Sequence, residues 1–154
     1  MLTTARLAAI HPYGILPLVE HLLIACSDGR IADTLSRLLA AREIEGADRL
    51  LVPGGPLVFV RPGMERRVAM ECITTQISAG GVRKVILVSH QDCRAYERAL
   101  GGLGFDQQEI LARDLRRVRA LIENAFPALD VSCYLIPWRE NGGGAAFGDA
   151  EPVD

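Results

Sequence analysis

The chain has 154 residues, the length of one domain, with 49% hydrophobic and 23% charged residues, a globular balance rather than a disordered one. A net charge of −2 offers no basic surface for nucleic acid, and no apolar run approaches the roughly 20 residues that cross a bilayer. The four cysteines stand far apart, with no CxxC pair and no recognisable signal peptide, so burial or metal binding is expected of them before disulfides, and a cytoplasmic location with it.

Residues 1–20 read as an N-terminal arm. Leu2 to Ile10 can form a short helix, which His11-Pro12-Tyr13-Gly14 breaks because proline disfavours helix at the residue before it. So small an arm has little core of its own and is expected to pack on the main body or on a neighbouring subunit. The domain proper spans residues 21–140. Its first strand is His21 to Cys26, and Ile31 to Arg42 follows as a helix with Leu35, Leu38 and Leu39 on one side. Arg49 to Pro53 is a second strand, ending in Gly54-Gly55-Pro56. Met64 to Ser78 is a helix with Val68, Cys72, Thr75 and Ile77 as inward candidates. Lys84 to Ser89 is the most apolar strand.

Arg94 to Leu100 is a short helix. Gln107 to Ala125 is the clearest one, with Ile110, Leu111, Leu115, Val118, Leu121, Ile122 and Ala125 in one stripe. The arginines at 113, 116, 117 and 119 fit its solvated face. Val131 to Ile136 is a fourth strand, and residues 141–154 read as a flexible C-terminal tail. Strands that alternate with helices predict an α/β fold: a single domain with a mostly parallel central sheet of about four to five strands, flanked by helices.

Two strand ends carry the chemistry. Leu22-Leu23-Ile24-Ala25 runs straight into Cys26-Ser27-Asp28-Gly29-Arg30, and Val85 to Ser89 runs into His90-Gln91-Asp92-Cys93. Open α/β sheets place ligands at the carboxyl ends of strands. Cys26, His90 and Cys93 form a Cys₂His donor set suited to Zn²⁺, with the fourth tetrahedral position left open as in a catalytic site. Asp28 and Arg30, two apart in an extended chain, lie on one side and can pair. Loss of the Arg30 partner would free Asp28 to swing onto the metal.

Taken singly, each feature is weak. A buried cysteine is most often a small hydrophobe, HxxC and CxDxR are short, and an Asp–Arg pair often only clamps a loop. The conjunction of the two strand ends outweighs these bland readings. Other polar residues carry less. His11 and His21 are candidate proton shuttles, though surface or capping roles fit them as well. Asp92 is read as the cap of the following helix rather than as a partner of the metal ligands. Cys72 and Cys133 are read as core, Glu71 and Gln76 as ordinary helix residues, and Tyr96 and Trp138 as packing.

These residues resemble the β-class carbonic anhydrases, whose pattern is CxDxR after one strand and HxxC after a later one. The likeness runs from about Leu22 to Leu100, and more loosely beyond. It implies that Cys26, His90 and Cys93 are zinc ligands and that Asp28 and Arg30 are the catalytic dyad. The implied activity is reversible hydration of carbon dioxide to bicarbonate by zinc-bound hydroxide. The implied assembly is a homodimer or higher homo-oligomer in which the arm wraps the partner. Two positions depart from the pattern. Val52-Pro53-Gly54-Gly55-Pro56 replaces a polar loop of the Arg-Asn-Ala-Gly-Asn type, and Arg94 replaces a glycine after the second cysteine. They mark a divergent, carbonic anhydrase-like chain. They also keep alternatives open: a hydrolase of a related small molecule such as carbonyl sulfide, or a catalytically silent zinc- or anion-binding homologue anchored by Arg30 and Arg94. A nucleotide site at Gly54-Gly55 is disfavoured, because no GxGxxG or P-loop spacing is present.

Overall fold

Leu22, Leu23, Ile24 and Ala25 are each at most 1% exposed, and this uninterrupted apolar run forms an interior strand of the central sheet. The structure, a computed structural model, describes residues 10–11, 14–15, 18–102, 106–141 and 144–154. Two short strands, β1 (Ile10–His11) and β2 (Gly14–Ile15), pair antiparallel at the amino end. The helix expected over Leu2 to Ile10 otherwise lies outside the described residues.

The sheet contains β3 (His21–Cys26), β4 (Asp48–Val52), β5 (Lys84–His90) and β6 (Asp130–Ile136), all parallel, in the order β4-β3-β5-β6. A fifth strand, β9 (Glu151–Pro152), closes the β6 edge antiparallel. The chain leaves β3 for β4 on one side and returns as β5 on the other side. The direction of winding therefore reverses between β3 and β5, and such a switch point opens a crevice at the carboxyl ends of the two strands. Register aligns Ile24 with Leu87, which brings Cys26 level with the residues just before His90.

The helices are α1 (Ala32–Ala41), α2 (Leu57–Val60), α3 (Met64–Gly80), α4 (Arg94–Leu100) and α5 (Gln107–Ala125). The stripe of α5 is realised as expected, with Leu111, Leu115, Val118 and Ile122 buried and the helix packed against β6 and β5. Truncating one of these leucines to alanine costs about 2–5 kcal/mol. The Asp106 side chain caps the helix by accepting from the Gln108 amide at 2.9 Å.

Two expectations need correction. Helix α3 buries Ala69 and Ile73, not Val68 and Thr75; Val68 is 56% exposed and Cys72 is only half-buried. Its apolar residues are spread around the helix, so periodicity does not single out one face. Residues 141–154 were expected to be a flexible tail. Instead β7 (Trp138–Asn141) and β8 (Gly144–Phe147) form an antiparallel hairpin, and β9 joins the main sheet. The Val153 amide donates to the Cys133 carbonyl at 2.9 Å, and Arg37 pairs with Asp149 at 3.0 Å.

Candidate metal centre

Cys26 ends β3, His90 ends β5, and Cys93 precedes α4. The switch point brings the three together. Their donor atoms all lie within 4.8 Å of one another, and all three residues are buried. The Cys26 and Cys93 Sγ atoms are 4.0 Å apart. With Zn–S bonds of about 2.3 Å, that separation spans an angle of about 120° at the metal, close to tetrahedral.

His90 is presented in one orientation. Its Nδ1 lies 2.8 Å from the Gln91 carbonyl, which can only accept, so Nδ1 carries the proton. That leaves the Nε2 lone pair free, and Nε2 is buried without a hydrogen-bond partner. A buried nitrogen without a hydrogen-bond partner, on a residue grouped with two buried thiols, fits a metal donor.

The thiols are electrostatically prepared. The contact with Cys93 is the main cause that draws the Cys26 thiol down, assisted by the amides of Asp28 and Gly54, against the opposing effect of burial. The same interaction and burial push the Cys93 thiol up, so the two sulfurs share one proton.

Residue Gly54 was not assigned a site role from sequence. Its amide donates to Cys26 Sγ at 3.3 Å. Residue Gly55, at φ 54°, packs so tightly that a Cβ there would lie 2.7 Å from the Ala25 carbonyl carbon and the Cys26 nitrogen. The Val52–Pro56 loop thus needs its glycines to wrap the β3 end. A glycine pair beside a strand-end cysteine was the available signal.

The Asp28–Arg30 pair forms, but not through the extended backbone expected: Asp28 caps a 3₁₀ turn over Gly29–Ile31 by accepting from the Arg30 amide. Arg30 Nε and Nη2 donate to the two Asp28 carboxylate oxygens at 2.7–3.1 Å, and the Arg30 amide adds a bond of 3.0 Å. This grip holds the Asp28 carboxyl at about 2, below its ordinary 3.8. Asp28 is therefore an ionised acceptor at any physiological pH.

Asp92 does not cap α4; Cys93 occupies the cap position without a side-chain bond. Asp92 sits at φ 55° and takes Arg30 Nη1 on its carboxylate at 2.7 Å and Nη2 on its carbonyl at 3.1 Å. Arg30 is thus gripped by both ligand loops. His21 lies at the opposite end of β3 from Cys26, about 16 Å away along the strand, too far to relay a proton to the site. The His11 side chain lies outside the described residues. Arg94 is exposed and, among the described residues, makes no hydrogen bond or ion pair with the three donors or the pair.

Solved structures with the same architecture exist. A carbonic anhydrase from Glaciozyma antarctica superposes with a TM-score of 0.50 at 16% identity, over 86% of this chain and 83% of its own. The fold is that of the β-carbonic anhydrases. Two further β-carbonic anhydrases match less closely. One, from Trichomonas vaginalis, has a TM-score of 0.48 at 14% identity over 96% and 87% of the chains. The other, CafA from Aspergillus fumigatus, has 0.45 at 19% over 86% and 77%. No protein-family model and no curated protein matches the chain. Within this β-carbonic anhydrase fold, the buried Cys–His–Cys group could hold a metal ion. No helix among the described residues is long and apolar enough to cross a membrane.

Proposed function

We propose that the protein binds one Zn²⁺ through Cys26 Sγ, His90 Nε2 and Cys93 Sγ and catalyses the reversible hydration of carbon dioxide to bicarbonate. The observation that carries this reading is a buried three-donor set with no fourth protein donor grouped with it among the described residues, and nearby in sequence a carboxylate whose two oxygens are both held by an arginine. Zinc in such a set supplies a Lewis acid that lowers the pKa of bound water.

The chain's own residues do the rest. The two thiols and the single free imidazole nitrogen fix the coordination. Gln91, through its carbonyl, sets which nitrogen of His90 is free. Asp28 lies two residues beyond Cys26, ionised, and presents a hydrogen-bond acceptor toward the open side. By bonding both Asp28 oxygens, Arg30 would keep that carboxylate from serving as a fourth ligand to a bound zinc. Because Asp28 stays ionised, it would act as a hydrogen-bond acceptor that orients a proton donor.

The test uses the full-length, untagged protein. Metal content and stopped-flow CO₂ hydration are measured on wild type and Cys26→Ser. About one zinc per chain, with hydration lost in the variant, supports the proposal. Zinc without hydration moves the assignment to a related hydrolase or a silent homologue. A folded protein that takes up no zinc contradicts it.

A further inference from the structure

We infer that Phe147, at the end of the C-terminal hairpin, is a positioning residue for the site. One aromatic ring touches both halves of the machinery. The Arg30 guanidinium carbon lies over the Phe147 ring, 5.3 Å from its centroid. The His90 imidazole meets the same ring edge-on, with centroids 5.3 Å apart and planes at 85°. A cation over an aromatic face and an edge-to-face ring pair are both attractive geometries.

The ring is itself held. Trp138 packs against it at 4.7 Å and 71°, from the directly paired position across the hairpin. The Trp138 amide donates to Gln91 Oε1 at 2.7 Å, and the Gln91 amide donates to the Ile136 carbonyl at 2.9 Å. Gln91 is the residue whose carbonyl sets the His90 tautomer. The hairpin and the ligand loop therefore brace each other, and Phe147 closes the circuit.

The consequence is orientation at two points. Asp28 and Asp92 hold Arg30 through bonds to Nε, Nη1 and Nη2 along the edges of its guanidinium. The Phe147 ring packs on its face, which those bonds leave uncovered, and adds to the hold on the plane. His90 is fixed at Nδ1 by one hydrogen bond and can still rock about it, and the ring edge limits that motion. Phe147 thus keeps Nε2 turned to the thiols and keeps Arg30 square to Asp28.

The inference draws on the proposed zinc site, and its test separates the two. Full-length wild type, Phe147→Leu and Phe147→Tyr are compared by zinc affinity against a competing chelator, by the Arg30 Nε–H signal in ¹H–¹⁵N spectra, and by CO₂ hydration. Phe147→Leu is expected to weaken zinc by about tenfold, the scale for residues that orient metal ligands. It is also expected to move the Arg30 signal, which sits in the ring's shielding field. Phe147→Tyr, which keeps the ring, should restore both. If Phe147→Leu does not fold, Trp138→Leu removes the backing of the ring and should move the same two readouts in the same direction. A leucine variant that holds zinc as tightly as wild type, or whose Arg30 signal stays in place, overturns the inference. Shifted affinity and signal in a protein without hydration activity would leave the positioning role standing and remove only the proposed reaction.

Discussion

Replacing Arg30 by glutamine tests whether its grip on Asp28 keeps one position of the proposed zinc site free. The substitution removes every side-chain bond that Arg30 makes to the two Asp28 oxygens, together with the bond to the Asp92 carboxylate. The shift of the Asp28 carboxyl from 3.8 to about 2 corresponds to ~2 kcal/mol at full strength. Arg30 is 39% exposed, so screening by solvent reduces the loss of fold stability to about 1 kcal/mol. Because the folded value is depressed, this contribution is present above about pH 4 and is lost as the pH falls through about 2. The denaturation midpoints of wild type and Arg30→Gln should therefore differ at pH 7 and converge in strong acid. Activity should fall far more than stability, by about 10²-fold, because the freed carboxylate can enter the open position. The Co²⁺-substituted variant should show the absorption of a closed four-ligand site and no response to added anions. An Arg30→Gln enzyme within about twofold of wild-type turnover would refute the role given to the pair.

Other outcomes follow from particular contacts. Gly55→Ala forces a Cβ to within 2.7 Å of backbone that cannot yield, at φ 54°. It should cost about 2–4 kcal/mol in urea denaturation and reduce zinc uptake; Gly54→Ala, also left-handed at φ 78° but meeting the Leu57 side chain rather than backbone, should destabilise too, by less. Asp92→Asn keeps a residue type that tolerates positive φ and removes only the charge. It should change stability by about 0.5 kcal/mol or less yet lower turnover measurably, separating the Arg30 contact from the backbone role. The Tyr96 hydroxyl is buried with the Ser89 hydroxyl as a polar contact, so Tyr96→Phe should change thermal stability by no more than about 1 kcal/mol. Two thiolates place more negative charge on the site than three imidazoles would, so hydration should rise between about pH 6 and 9; a flat profile would count against the Cys₂His assignment.

What the residues disclosed, and what they concealed, follows from the range of the interactions. Strands β3 and β5 are continuous apolar runs and α5 a full stripe, so local pattern located them within a residue or two. The three donors and the Asp28–Arg30 pair were legible because they sit immediately after such runs. Helix α2 is a single turn in a proline- and glycine-rich stretch, too short to show a period. The C-terminal hairpin reads as a tail because Asn141-Gly142-Gly143-Gly144 has the composition of unstructured chain; its strands are stabilised by contacts with distant residues. Phe147 meets Arg30 across more than a hundred positions of sequence, and Asp92 meets Arg30 across another long gap. No local pattern reports such contacts. Asp92 looked like a helix cap by position alone, and its left-handed backbone turned it toward Arg30 instead.

The central claim is that Cys26, His90 Nε2 and Cys93 hold zinc and leave one position free. Zinc K-edge absorption fine structure on the zinc-loaded full-length protein addresses it most directly. The account predicts two sulfur neighbours at about 2.3 Å and two nitrogen or oxygen neighbours at about 2.0 Å, with one sulfur lost in Cys26→Ser. A shell without sulfur, or one unchanged by that substitution, would contradict it.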